Sequence, residues 1–303
     1  MDLSFTMGCI EYRFGYEKSM EYIRNAGFCA TDYSLDSMVQ DASPWNGAQW
    51  RAHAEAVRAC ADRLGIRINQ THAPFSFSHR LWKDETSYRD IILPRILRAL
   101  EISGILGAKV AVVHPIHHDV YQGHEEEMFV RNMDFYRMLI PYAREYRVKI
   151  GLENMYQVDA RRKCIVDDTC SRSEEFIRYI DTVDSEWVVA CLDLGHVGLI
   201  QRKDEAWDMI RALGHNRLQS LHVHDNDYRG DQHTIPYLGT MNWEEITRAL
   251  GEIDYQGDFT YEAGWSFLQR VDDEFLPVSM RYMYDLGQHL MEKINRSRPQ
   301  KEN

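Results

Sequence analysis

The sequence predicts an α/β protein built as a closed (β/α)8 barrel, the TIM-barrel class, and three observations predict it. Eight short β-like runs alternate with eight long helical runs along the chain. The β-like runs start about 26 to 43 residues apart, as βα units with variable loops should. No glycine-rich fingerprint follows the first run, which disfavours a doubly wound nucleotide-binding sheet. The 303 residues, 44% hydrophobic and 27% charged, suffice for one such barrel around a large core.

Taken in order, LSFTMG (3–8) precedes the helical YEKSMEYIRNAG, in which Met20, Ile23 and Ala26 recur at three-residue steps. CATDYSL (29–35) precedes GAQWRAHAEAVRACADRLG. IRINQTHAP (66–74) precedes SYRDIILPRILRALEISGILG, where Ile92, Ile96, Leu97 and Leu100 form one apolar stripe. KVAVVHP (109–115) leads into EEMFVRNMDFYRMLIPYAREYR, and KIGLEN (149–154) into SRSEEFIRYIDTV. VVACLDLGH (188–196) leads into DEAWDMIRALG, LQSLHVHDN (218–226) into NWEEITRALGEI, and DFTYEAG (258–264) into LPVSMRYMYDLGQHLMEKI. Gly27, Gly65, Gly107 and Gly214 stand where helices should end in a left-handed residue. Ser171, Asp204 and Asn242 are the expected N-caps. Nothing reads as a linker, so a single domain over 1–303 is expected, with 295–303 (NRSRPQKEN) a disordered polar tail.

Composition narrows the function. A net charge of −12 repels phosphate backbones, so no nucleic-acid partner is expected, although a small anion held by local arginines stays open. The six cysteines, at 9, 29, 60, 164, 170 and 191, include no C-x-x-C pair, which argues against a zinc ribbon or a dithiol redox motif. No basic-then-apolar leader and no long apolar run is read, so the expectation is a cytoplasmic protein without a membrane partner. A homo-oligomer is compatible with this composition.

In a (β/α)8 barrel the active site forms at the C-terminal ends of the strands. Six successive predicted strands end in a group able to bind a metal or move a proton: His72, His114, Glu153, Asp193 with His196, His222 with His224, and Glu262. Asp, Glu and His together make up about one residue in five, so a run of six exceeds chance placement. Taken singly, each such residue is more often a hydrogen-bonded polar cap than a ligand. Strand parity agrees with the run: Gly151 and Glu153, Cys191 and Asp193, and Thr260 and Glu262 share faces, putting the acids over the barrel axis. Two glutamates, an aspartate and an imidazole make a mixed nitrogen and oxygen site suited to Mn²⁺, Co²⁺ or Zn²⁺, and less to Mg²⁺. A cation also answers the mutual repulsion of three neighbouring carboxylates.

The stretches THAPF, VVHP, GLEN, CLDLGH, LHVHDND, DQHTIPYLG and YEAG, spread over residues 3–265, resemble the xylose-isomerase-like TIM-barrel superfamily. That group includes sugar isomerases, ketose 3-epimerases and the endonuclease IV branch. The resemblance to the ketose 3-epimerases implies one divalent metal, manganese first, held by Glu153, Asp193, His224 and Glu262. His224 is chosen over His222 because it lies nearer the strand's C-terminal end, and His222 is expected to support it from one layer below. The same resemblance implies Glu153 and Glu262 as the acid–base pair and a substrate contact or catalytic part for His196. It adds Arg229 as a substrate contact; His72 and His114, from their strand ends, and the loop aromatic Trp265 are expected to contact substrate as well. The endonuclease IV branch uses three zinc ions, and the resemblance to it maps further metal ligands onto His72, His114, His196, Asp231 and His233. Asp231 and His233 are therefore carried as extra metal ligands. The acidic chain, the loop ENMYQVDARRKC and the LDLGH sequence count against the nuclease.

The expected activity is isomerisation or epimerisation of a sugar or sugar-like polyol through an enediolate, with a carboxylate on each face of the substrate. A lyase, such as an inosose-type dehydratase or a carbon–glycoside-cleaving enzyme, begins with the same proton abstraction and is the first alternative. An abasic-site nuclease and a binding protein without turnover follow. Aromatic residues beyond the strand ends (Tyr12, Phe14, Tyr33, Phe75, Phe77, Trp82, Tyr156 and Trp265) offer faces for a sugar ring or serve as loop packing. The basic ARRKC, in the long loop from Asn154 to Cys170, reads as a solvated turn before it reads as a lid over an anion.

Overall fold

A computed structural model describes residues 1–200 and 204–299. Among the described residues, eight parallel strands run in the order β10-β1-β2-β3-β4-β5-β8-β9, and a separate hairpin pairs β6 with β7. The barrel strands are β1 (Leu3–Thr6), β2 (Ala30–Ser34), β3 (Arg67–His72), β4 (Val110–Val112), β5 (Lys149–Glu153), β8 (Val188–Asp193), β9 (Leu218–His222) and β10 (Phe259–Tyr261). The hairpin strands are β6 (Tyr156–Val158) and β7 (Ile165–Asp167). Closure falls to Val223, just past β9: its N–H donates to Thr260 O at 2.9 Å, and the Glu262 N–H donates to its carbonyl at 3.1 Å. The predicted closed barrel is the observed architecture.

Helices follow the strands because their apolar stripes need the outer face of the sheet. Of the stripe in the sequence, Ile96 and Leu100 are buried on the helix Leu93–Leu106 and Ile92 just before it, while Leu97 is half-buried. Gly27, Gly65 and Gly107 end their helices at φ 116, 65 and 77°, the left-handed turn that glycine makes without a Cβ penalty. Asn242 caps as expected, accepting from the Glu245 N–H at 3.3 Å. Ser171 and Asp204 do not cap: the next helices begin one residue later, after Arg172 and Glu205. The last helix, Leu276–Arg296, extends two residues into the expected tail, and 300–303 lie outside the described residues.

The barrel axis is partly polar. Ser4 donates to Asn69 Oδ1 at 2.6 Å, Asn69 Nδ2 to Thr260 Oγ1 at 3.0 Å, and Ser220 to Gln70 Oε1 at 2.6 Å. Gln70 Nε2 in turn donates to Asp32 Oδ2 at 3.2 Å. Each buried polar group here has a neighbour, so the polar filling does not leave orphaned donors. No described helix is long and apolar enough to cross a membrane.

Candidate metal centre

The site begins with two local devices. Asn154, the last residue of GLEN, clamps the neighbouring strand: the Asp193 N–H donates to Asn154 Oδ1 at 2.8 Å, and Asn154 Nδ2 donates to Asp193 O at 3.0 Å. Asp193 then ends β8 and caps the short helix Leu194–Leu199, accepting from the His196 N–H at 2.7 Å. That turn brings His196 back over the strand end, with Nδ1 2.8 Å from Asn154 O.

Glu153, Asp193, His222 and Glu262 form one group, each offering an atom within 4.8 Å of the others. His222 Nδ1 lies 2.8 Å from Glu153 Oε1 and 3.2 Å from Glu262 Oε2. On one side, His72, His114 and Glu153 form a second group, with His114 Nε2 2.9 Å and His72 Nε2 3.5 Å from Glu153 Oε2. On the other, His224 meets Asp193 at 3.0 Å and belongs both with Asp193 and His196 and with Asp231 and His233. Asp231 Oδ2 lies 2.9 Å from His233 Nε2 and 3.7 Å from His196 Nε2.

Both histidines of the pair reach the expected carboxylates: His222 gathers with Glu153, Asp193 and Glu262, while His224 meets Asp193 beside His196. In the register of β8 and β9, Asp193 stands opposite His222, so the imidazole level with the carboxylates is the first of the pair. His224 lies past the strand and packs its ring on His233 at 4.1 Å between centroids. It can do so only because residue 195 is glycine: a Cβ there would lie 1.9 Å from the His224 ring.

A cavity of about 540 Å³ opens above these groups, within the range of small-molecule sites. His72, His114, His196, Asp231, His233, Glu153 and Glu262 line it, together with Phe75, Trp82 and Tyr156. Arg229 and Trp265 do not: Arg229 is exposed on the loop after β9, and Trp265 packs against Gly8. The basic cluster also lies away from it, with Arg162 paired to Asp159 at 2.7 Å. Asp225, inside the HDND run, is structural: its carboxylate accepts from the N–H groups of Asn226, Tyr237 and Met241 and from Trp243 Nε1.

The strand-end reading missed Asp32. It sits inside β2, not at its end, and is 2% exposed. Its Oδ2 lies 3.5 Å from His222 Nε2, the ring edge turned away from the glutamates. The signal available was parity, a single acid inside an otherwise uncharged predicted strand.

The charges in this site are severe for a protein interior. Burial pushes Glu153 upward, but His222 and His114 outweigh it and hold the carboxylate well below its usual range. Asp193 is lowered against its burial by His196 and His224. Burial opposes charge on His196 and His233, yet the carboxylates Asp193, Asp231 and Glu262 raise them to about 10 and about 9. His114, where burial wins, falls to about 4. Several buried atoms able to ligate a metal remain without a hydrogen bond: Asp231 Oδ1, His222 Nε2 and His224 Nδ1. Carboxylates and imidazoles with spare lone pairs, gathered around one point, fit a divalent cation.

The family model of the xylose isomerase-like TIM barrels matches residues 20–274. The chain belongs to this family. Within the xylose isomerase-like barrels, it is 30% identical over 257 residues to a D-psicose 3-epimerase of Enterocloster bolteae, covering 82% of this chain and 76% of the relative. Its fold superposes on a D-tagatose 3-epimerase-like protein with a TM-score of 0.75 at 21% identity, covering 98% and 99% of the two chains. It superposes also on the IolI protein with a bound zinc atom, at TM-score 0.71 and 15% identity, covering 99% and 100%.

Proposed function

We propose that this protein is a divalent-metal-dependent isomerase or epimerase of a sugar or sugar-like polyol. The observation that carries the reading is the group of Glu153, Asp193, His222 and Glu262 at the floor of a sugar-sized cavity. The relative named a D-psicose 3-epimerase and the zinc-bearing fold neighbour support it. Glu153, Asp193, His222 and Glu262 would hold the metal, and the mixed donor set favours Mn²⁺, with Co²⁺ and Zn²⁺ next and Mg²⁺ last. When bound, the cation supplies Lewis-acid polarisation of a carbonyl and neutralises developing negative charge.

The remaining work falls to the chain. One of Glu153 and Glu262 removes the proton from the carbon beside the carbonyl, and the other returns a proton on the opposite face. His222 lies within 3.2 Å of both carboxylates and keeps them oriented. His196, anchored through Nδ1 to Asn154 O, faces the cavity as a hydroxyl contact. Tyr156 closes that side, its ring 4.9 Å from His196, and Phe75 gives an apolar face beside His72 and His114.

The flanking groups, His72 with His114 and His224 with Asp231 and His233, have the chemistry to take further ions. The test is metal content together with product analysis. Manganese-loaded protein is incubated with neutral ketohexoses, and the products are separated by chromatography. One equivalent of metal with a carbon-3 epimer or an aldose as product is expected. An unsaturated product would make the enzyme a lyase, and cleavage of an abasic duplex by protein holding three ions would overturn the reading.

A further inference from the structure

The cavity carries an acid that none of the metal-binding groups uses. Asp168 follows β7 in the loop between β5 and the helix Ser173–Val183, and it is 3% exposed, yet it lines the cavity wall. One oxygen, Oδ1, accepts from the Thr169 N–H at 2.7 Å and the Thr169 hydroxyl at 3.3 Å. The other, Oδ2, has no partner among the described residues, and no lysine or arginine lines the cavity among them. Lys83 pairs with Asp119 at 3.7 Å near the rim but is not part of the lining. A carboxylate oxygen that faces the cavity and accepts nothing from the described residues is an acceptor for whatever fills that space.

The backbone around it is built to keep it there. The Ser171 N–H donates to Asp168 O at 3.1 Å, closing a tight turn whose third residue, Cys170, has φ 62°. A non-glycine residue in that region is strained, and such strain persists where the surroundings hold it. Here Glu175 is the clamp: Oε2 accepts from the Cys170 N–H at 3.1 Å, while Oε1 accepts from the Tyr121 hydroxyl. The Met155 N–H donates to Thr169 O at 3.0 Å, tying the turn to the loop that carries Tyr156 over the site. Burial raises the Asp168 carboxyl to about 7, with the Thr169 bonds opposing only in part, so it can accept from a hydroxyl or donate to one near neutral pH.

We infer that Asp168 is a substrate-binding residue that hydrogen-bonds a hydroxyl group of an uncharged polyol, and that it selects against phosphorylated or carboxylated substrates. The inference rests on the proposed function and adds a residue and a charge class to it. A phosphate or carboxylate in this cavity would face Asp168, Glu153, Asp231 and Glu262; the lining imidazoles His196 and His233 are already paired with Asp231, and no lysine or arginine is among the described lining residues.

Steady-state kinetics of the manganese-loaded wild type, Asp168→Asn and Asp168→Ser on neutral ketohexoses and their 6-phosphates test it. The wild type should prefer the neutral sugar over its phosphate by about 100-fold or more in kcat/KM. Asp168→Asn should raise KM for the neutral sugar about tenfold with kcat within about threefold and manganese content unchanged. Asp168→Ser, smaller and uncharged, should show the same split. An unchanged KM in a folded, metal-loaded variant overturns the inference, and so does a wild-type preference for the phosphate, which needs no variant to observe. If the loaded wild type converts none of the sugars, the proposed function falls before any variant is compared, and this inference falls with it.

Discussion

At the N-terminal mouth of the barrel, Arg67 lies 2.7 Å from Asp2 and 2.8 Å from Asp258, and Lys149 donates to Gln219 at 2.7 Å. At the C-terminal mouth of the same strands, Glu153, Asp193, Asp231 and Glu262 crowd among imidazoles, with no lysine or arginine in the cavity lining among the described residues. Both ends hold cavities of similar size, about 570 Å³ below and about 540 Å³ above. The difference lies in whether charge is satisfied. Below, opposite charges meet at half-exposed positions, where pairing adds modest stability. Above, carboxylates and imidazoles are buried with lone pairs to spare, an arrangement that a cation completes. A fold gains nothing in stability from the upper arrangement alone, which is why the proposed chemistry is placed at that end.

The largest effect separating the two ends should come from Glu153→Gln. Removing one of the two carboxylates proposed to transfer the proton is expected to lower kcat by about 10³-fold, measured by sugar turnover at saturating manganese. Wild-type turnover in that variant would move the chemistry away from the upper mouth.

The two histidines of HVH sharpen the comparison within the upper mouth. His222→Ala should weaken binding of the first manganese by more than about 100-fold, whereas His224→Ala should leave that first equivalent bound. Calorimetric titration of the apo protein distinguishes them, and the reverse order would make His224 the ligand.

Asp168→Asn should raise stability, with a sign set by linkage. The folded carboxyl keeps its proton up to about pH 7, against an ordinary value of 3.8, so folding suffers no penalty from it below about pH 4. The penalty grows through that window and is complete above pH 7. The variant should therefore gain on the order of 4 kcal/mol at pH 8 and nothing at pH 4, read from urea unfolding at the two pH values. A gain confined to low pH would contradict the burial argument.

The smallest effect is expected below. Arg67→Ala breaks a one-third-exposed pair of contacts and should cost about 1 kcal/mol in unfolding free energy, with kcat/KM unchanged. A loss of turnover there would mean that the two mouths are coupled along the polar axis through Asn69, Gln70 and Asp32.

Much of this molecule was legible before folding. The alternation of β-like and helical runs determined the barrel, because strands and amphipathic helices of these lengths bury their apolar faces in few other ways. Parity determined Glu153, Asp193 and Glu262, since alternation along a strand assigns a residue to the axis without knowledge of its neighbours. Asp168 was not legible, because its loop has no period and only the Cys170 turn aims it at the cavity. Asp32 left a trace only as the lone acid of its strand; its nearness to the site rests on its 3.5 Å distance to the His222 ring on another strand.

The clearest division runs through SLHVHD. The sequence by itself determined that two imidazoles, His222 and His224, share the inner face of one strand. Which of them stands level with the two glutamates depended on register: β8 and β9 slip by one residue between Ala190 and Cys191, so Asp193 stands opposite His222 where an unshifted ladder would put Leu221. A bulge is set by how two strands pack against their neighbours and leaves no local trace in either strand, so only the tertiary structure could choose between the two histidines.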